Sequence, residues 1–283
     1  PTHQPTGKKV AILGGNRIPF ARSNGQYANV SNSEMLTAAL NGLVERYNLQ
    51  DKRLGEVVAG AVIKLSRDIN LTRECVLSTA LSPQTPAYDI SQACATGLQA
   101  AFAVSNKIAL GLIDSGIAGG VDTTSDAPLG IGDGLRKALL KLNNAKTNKD
   151  RLQALLSINP KDLIDAPQNG EPRTKLSMGD HQAITALEWA ITREAQDEFT
   201  FNSHKNLARA YDEVFFDDLI TPFKGLTRDN NLRPDISLEK LASLKPVFGK
   251  KNANPTMTAG NSTPLTDGAS CVLLGTDEWA AAN

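Results

Sequence analysis

Apolar and polar positions switch between two periods along this chain, and the switches mark out its elements. Residues 9–15 form a short apolar run that ends in Gly14 and Gly15. It predicts a buried first strand, with Arg17 and Arg22 at its exit. Residues 33–47 carry Met35, Leu36, Ala39, Leu40, Leu43 and Val44 at helical spacing, with Ser33 as the cap and Asn48 near the stop. A strand over residues 56–63 follows, then a polar stretch with Arg67, Asn70 and Arg73, a helix to about Ala80, and a break at Pro83 and Pro86. Residues 87–90 read as a short strand, 94–110 as a helix and 114–122 as a second buried strand. This β-α-β-α order predicts an α/β fold: a mainly parallel mixed sheet with helices on both faces.

Beyond residue 122 the pattern changes to charged helices broken by Pro, Asn and Gly, with few strand-like runs. Residues 135–156 form a basic amphipathic stretch and residues 176–190 another helix. Thr192-Arg193-Glu194-Ala195-Gln196 is a capped start for a helix to Tyr211. Strand character returns over residues 256–274. The chain therefore divides into an α/β core over 1–122, an inserted, mostly helical loop subdomain over 123–251, and a return to the core with a final strand and the start of a linker over 252–283.

Composition narrows the function classes. The 283 residues are 41% hydrophobic and 21% charged, the balance of a folded globular protein. Thirty basic residues match thirty acidic ones, so no global field favours nucleic acid, and none is expected as a partner. Cys75, Cys94 and Cys271 have no metal-type spacing and make an odd set, which points to a reducing compartment, the cytoplasm, and to no bound metal. Residues 1–9 lack an apolar signal core, and no run nears the ~18 apolar residues of a membrane span.

Cys94 is the main candidate for chemistry. It sits where a small-residue turn runs into an apolar helix pattern, so free helix amides and the positive end of the dipole favour its thiolate and offer an oxyanion site. A nucleophile needs a base, and His3, His181 and His204 lie in segments with no evident pairing to it.

Three separated segments share one resemblance: Cys94-Ala95-Thr96-Gly97-Leu98-Gln99, Ala118-Gly119-Gly120-Val121-Asp122-Thr123-Thr124-Ser125, and Thr258-Ala259-Gly260-Asn261-Ser262-Thr263-Pro264-Leu265-Thr266-Asp267-Gly268-Ala269. Together with Arg17-Ile18-Pro19-Phe20 and Ser177-Met178-Gly179 they resemble the thiolase family over the whole chain. The resemblance is to the N-terminal half of a five-layered α-β-α-β-α fold. The family's second half carries a Gly-His-Pro motif with the activating histidine, an Asn-Glu segment and a second cysteine. None of these occurs in this sequence, so a truncated form or one piece of a split enzyme is expected, inactive alone. Residues 135–173, Asp180, Thr192-Arg193-Glu194 and Asp229-Asn230-Asn231 resemble the fatty-acid-oxidation branch. Gln92-Ala93 and Ser177 depart from the family's usual Asn-Arg and His.

The resemblance implies acyl-CoA:acetyl-CoA C-acyltransfer, either 3-ketoacyl-CoA thiolysis or Claisen condensation, through an acyl-Cys94 intermediate. Coenzyme A and acyl-CoA would be substrates, with no permanently bound cofactor. Met178 would lie beside the pantetheine arm and Ala259 and Thr263 along its wall. Lys224, Arg228 and Lys245 are candidates for the phosphates. A homodimer or tetramer is implied, with a hydratase/dehydrogenase subunit as a possible partner. The alternatives are an acetoacetyl-CoA-specific acetyl-CoA acetyltransferase and, in another class, a non-catalytic acyl-CoA-binding or assembly module.

Several other residues read as structural. Cys75 and Cys271 are expected to pack inside, and Trp189 and Phe199 to face the core. Gly119-Gly120 marks a tight strand crossing, and Asn261 and Asp267 fix the turn before the last strand. His181 is expected to be hydrogen-bonded or at the surface, His204 to be a solvated helix residue, and the basic run 136–151 to be a solvated face.

Overall fold

The computed structural model describes residues 7–160 and 163–283, so His3 and the polar start at residues 1–6 lie outside the described residues. The strands are β1 (Ala11–Arg17), β2 (Ala21–Arg22), β3 (Glu56–Ala59), β4 (Ala87–Asp89), β5 (Ser115–Asp122), β6 (Gly130–Ile131), β7 (Ile164–Asp165) and β8 (Thr266–Gly275). A six-stranded sheet runs in the order β1-β8-β5-β3-β4, with β2 also paired to β8. Strand β8 is antiparallel to β1, β2 and β5, whereas β5, β3 and β4 are parallel. One reversed strand thus lies within a sheet whose other members share a direction, the mixed, mainly parallel sheet that the alternating pattern predicts.

Successive strand side chains point to opposite faces, so a strand buried on both sides needs apolar residues in sequence. Val57 and Val58, Ile117 and Ala118, and Leu273 and Leu274 are such pairs. The first of each joins a core with Leu36, Leu40 and Leu43 of α1 (Asn32–Arg46) and Cys75 and Val76 of α2 (Leu71–Leu77). The second joins Ala100, Val104 and Ile108 of α3 (Thr96–Ala109). Each fully buried leucine contributes about 2 kcal/mol.

Several boundaries differ from the sequence reading. β1 starts two residues late and is an edge strand, so Ile12 is 75% exposed rather than buried. The cap of α1 is Ser31, in a capping box with Glu34, and not Ser33. β3 ends at Ala59; just beyond it the chain passes so close to Ile90 that a Cβ on Gly60 would come within 1.9 Å of the Ile90 carbonyl oxygen. Gly60→Ala should therefore cost about 3 kcal/mol in denaturant unfolding, and an unchanged midpoint would contradict this packing. β8 begins only at Thr266, the preceding ten residues being loop.

The basic stretch is two helices, α4 (Asp133–Asn144) and α5 (Asn148–Leu156), because Thr147 caps a new start by accepting from the Asp150 amide. After it come α6 (Met178–Glu188), α7 (Arg193–Asp212), α8 (Leu238–Ala242) and, past β8, α9 (Asp277–Ala282). Thr192 caps α7 as its sequence indicates. Trp189 and Phe199 are 75% and 77% exposed, contrary to the core expectation. Trp189 falls at the C-cap of α6, and the buried positions of α7 are Asp197 and Tyr211.

The chain revisits the core before β8. Arg17 exchanges main-chain hydrogen bonds with Leu219 and Thr221, both at 2.9 Å, and its guanidinium grips Asp229 at 2.7 and 2.9 Å. Asp229 also accepts from the Phe20 amide at 2.7 Å. Next to it, Asn230 accepts from the Arg22 amide at 2.7 Å, which stitches residues 219–231 to β1 and β2.

Candidate functional site

Cys94 stands in the turn between β4 and α3, one residue ahead of the N-cap Ala95. The preceding Ala93 is held at φ +46°, a left-handed conformation that costs an L-residue on the order of 1–2 kcal/mol. Thr96 keeps it there. Its hydroxyl donates to the Ala93 carbonyl at 2.7 Å and accepts from the Gln92 amide at 2.9 Å. The result is a tight elbow that leaves the thiol exposed. The amides of Ala95 and Thr96 are not free for an incoming oxygen, as a bare helix end would suggest, since they donate to the Gln92 and Ala93 carbonyls.

The elbow opens on a hollow of about 590 Å³ whose walls include Cys94, Gly60, Gly97, Gly120, Asp122 and Gly268. Gly119 serves strand packing, because a Cβ there would lie 2.7 Å from the Ser270 carbonyl oxygen. On Gly120 a Cβ would meet nothing closer than 3.5 Å, so that glycine keeps space beside Gly60 and Gly97. Burial pushes the Asp122 carboxyl up, opposed by hydrogen bonds from the Ile63 and Val62 amides. Those bonds, at 2.8 to 3.1 Å, tie the loop after β3 to the end of β5.

A second hollow, of about 310 Å³, is lined by Ala259 and Thr263 together with Arg22, His204, Arg233 and Phe248. Met178 opens α6 and is exposed; its neighbour Gly179 lies against the Phe248 ring, where a Cβ would approach to 2.5 Å. The Ser177–Asp180 capping box and the Gly249 amide on Asp180 at 3.1 Å fix that helix end. The structure thus gathers Ala259 and Thr263 in one hollow and gives Cys94 a separate one; Met178 lines neither, and only its neighbour Gly179 packs on the Phe248 wall. The loop and start of β8 connect the two hollows: Ala259, Gly260 and residues 262–264 border the second hollow and residues 268–272 the first.

The cations that border the second hollow are Arg22 and Arg233, not the three that the sequence suggested. Lys224 pairs with Glu34 at 3.3 Å, Arg228 lies on the Tyr211 ring, and Lys245 is not among the lining residues. No local motif distinguished Arg233, which the fold brings in on a loop. Asn261 does fix its own turn, accepting from the Thr258 amide at 2.7 Å. Asp267 instead reaches across the sheet. Fully buried, it accepts from the Thr124 amide at 2.8 Å and from the Thr123 hydroxyl at 3.1 Å, and it pairs with the Ser125 hydroxyl. His181 contacts the Thr174 hydroxyl at 3.3 Å, while His204 is half-buried and engaged by Arg233 rather than solvated. Among the described residues no cluster of His, Cys, Asp or Glu could hold a metal ion, and no helix is long and apolar enough to cross a membrane.

Cys75 and Cys271 are buried, as expected of packing residues, and burial raises both thiols, Cys271 to about 12. Iodoacetamide near pH 8 should therefore label Cys94 and spare the other two over minutes. Peptide mapping checks this, and labelling of all three at one rate would contradict it.

The elbow, the glycine-walled hollow and the Ala259–Thr263 loop come from the three segments that carried the family resemblance. A family model, thiolase N-terminal domain, matches residues 10–278. The chain belongs to the thiolase family. Relatives of this thiolase N-terminal domain include the 3-ketoacyl-CoA thiolases of Pectobacterium carotovorum subsp. carotovorum and of Vibrio cholerae serotype O1. They are 38% identical over 275 and 276 residues, each match covering 95% of this chain and 62% or 63% of the relative. The chain thus spans a little under two thirds of these relatives' length. Among solved structures, Bacillus anthracis acetyl-CoA acetyltransferase superposes with a TM-score of 0.81 at 26% identity, covering 99% of this chain and 68% of that one. Human mitochondrial 3-ketoacyl-CoA thiolase shares the fold, with a TM-score of 0.81 at 22% identity over 97% of this chain and 67% of that one. The α/β thiolase-like half expected from the motifs is the fold found.

Proposed function

We propose that this thiolase N-terminal domain supplies the acyl-accepting nucleophile for exchange between a 3-ketoacyl-CoA and coenzyme A. The observation that carries the reading is the exposed Cys94 on a strained elbow, facing a hollow walled by glycine backbone. The Cys94 thiolate adds to the 3-keto carbon, and the tetrahedral oxyanion collapses with cleavage of the carbon–carbon bond. The electron pair leaves on the acetyl-CoA enolate, which takes up a proton, and the acyl group stays on sulfur as a thioester. A coenzyme A thiolate then attacks that thioester carbonyl and regenerates the Cys94 thiolate.

His181 and His204 are engaged elsewhere, by Thr174 and Arg233. The base and the second cysteine would come, as the resemblance implies, from the family's second half. Exposed Ile12, Leu98 and Phe102 offer it an apolar face, the last two one helical turn apart on α3. Ala259, Thr263 and Met178 would border the pantetheine arm. The 3-ketoacyl-CoA thiolase names of the 38%-identical relatives favour a role in β-oxidation over acetoacetyl-CoA-specific acetyl transfer. A dimer or tetramer in the cytoplasm, partnered by a hydratase/dehydrogenase subunit, is consistent with that role, and the free thiols of Cys75, Cys94 and Cys271 suit a reducing compartment.

The whole protein, given a medium-chain 3-ketoacyl-CoA and free coenzyme A, should form acetyl-CoA and the shortened acyl-CoA in equal amounts. Tight binding of both the 3-ketoacyl-CoA and coenzyme A with neither product formed would favour the non-catalytic module.

A further inference from the structure

His204 lies on α7 and faces the hollow that also holds Arg22, Arg233, Ala259 and Thr263. Its Nδ1 accepts a hydrogen bond from the main-chain N–H of Arg233 at 3.2 Å. An amide N–H can only donate, so Nδ1 must carry a lone pair and the neutral ring keeps its proton on Nε2. The loop around Arg233 is anchored on both sides. Asp229 and Asn230 are tied to Arg17 and to the Arg22 amide, and the Pro234 carbonyl accepts from Lys205 Nζ at 2.7 Å. Between these anchors, the His204 ring meets the main chain of Arg233 itself.

We propose that His204 is a positioning residue: its unprotonated Nδ1 holds Arg233 beside Arg22 for the anionic groups of a coenzyme A ester, and the hollow loses affinity when that nitrogen is protonated. This rests on reading the hollow as the coenzyme A site. Arg233 and Arg22 border the hollow with the ring, Lys205 follows it on α7, and Asp235 is occupied by Lys240 at 3.1 Å. Burial and the Arg233 charge both lower the pKa of His204 from its ordinary value, so the ring is neutral at and above neutral pH.

Protonation has two opposed effects. It turns the Nδ1–Arg233 contact into donor against donor, which costs roughly ten-fold in an equilibrium constant. It also adds a positive charge that attracts the anion, but at a hollow open to solvent this is screened to about two- to four-fold. The first effect is the larger, so affinity falls with acidification, whereas a charge role for His204 requires it to rise.

Coenzyme A affinity of the purified protein, measured by calorimetry at about pH 8 and about pH 5, tests the assignment on the scale of an ordinary imidazole titration. Wild type should bind about three- to five-fold more weakly at the lower pH. His204→Ala should be weak at both, and His204→Asn, whose Oδ1 stands near the position of Nδ1 and does not titrate, should recover affinity and lose the extra pH dependence. The Asn variant also controls for titration of the ligand's own phosphate, near pH ~6. A wild-type affinity that is flat or rises on acidification relative to the Asn variant overturns the proposal, as does an Ala variant that binds like wild type. Ring nitrogen NMR shifts in the free protein that show Nδ1 protonated and Nε2 bare overturn it without any ligand. Failure of wild type to bind coenzyme A at either pH, with the ring tautomer as described, overturns the reading of the site instead.

Discussion

Cys94→Ala is expected to reduce acyl exchange by the whole protein by about 10⁴-fold or more, because a covalent route has no substitute once its nucleophile is removed. The thiol is exposed and its elbow is held by main-chain bonds and by Thr96, none of which involves the sulfur. Stability should therefore stay within about 0.5 kcal/mol of wild type, as for other surface changes. A large loss of rate with an unchanged melting curve assigns the sulfur to chemistry. Residual exchange of several per cent would mean that the nucleophile lies elsewhere. The parallel change Thr96→Val tests the elbow. It removes two hydrogen bonds on the strained Ala93 turn, and a loss of rate together with a modest loss of stability is expected.

The largest stability effect should come from Asp229→Ala. Its carboxylate meets Arg17 in a two-pronged pair, both side chains nearly buried at 7% and 12% exposure, and it also accepts from the Phe20 amide. The Arg17 guanidinium lies over the rings of Phe20 and Phe216, at 4.7 and 5.2 Å from their centroids. Removal of the carboxylate leaves that charge enclosed and unpaired, which costs about 3–5 kcal/mol. For a chain of this size the melting temperature should drop by about 10 °C. An apolar exchange of both partners, Arg17→Met with Asp229→Leu, should recover part of the loss because no orphan charge remains. A single variant that melts with wild type would show the pair to be dispensable. Because the same loop carries Asn231 and Arg233 to the second hollow, coenzyme A binding should weaken in the single variant as well.

Much of the fold is legible in local pattern. The paired apolar residues of β3, β5 and β8 announce strands covered on both faces, and the α1 stripe runs through Leu36, Leu40 and Leu43 as spaced. Local pattern fails where the decisive contact is distant in sequence. Gly60 has no room for a side chain because of Ile90, thirty positions on, and Ile12 is exposed because β1 lies at a sheet edge. Phe199 has helical spacing from apolar neighbours but sits on a helix face that the other described residues leave open. Cys94 could be read at once because its signal, a turn running into a helix, is local and chemical. His204 and Arg233 could not, since their hydrogen bond joins α7 to a loop 29 positions away and neither residue stands in a motif.

The central claim is that Cys94 carries the acyl group. The most direct measurement is peptide mass mapping of the whole protein, quenched in acid shortly after mixing with a 3-ketoacyl-CoA in the absence of free coenzyme A. The account predicts a shortened acyl thioester on the peptide that contains Cys94, removed by later addition of coenzyme A and absent from Cys94→Ala. An adduct on another residue, or turnover with unmodified Cys94 at every quench time, would contradict it.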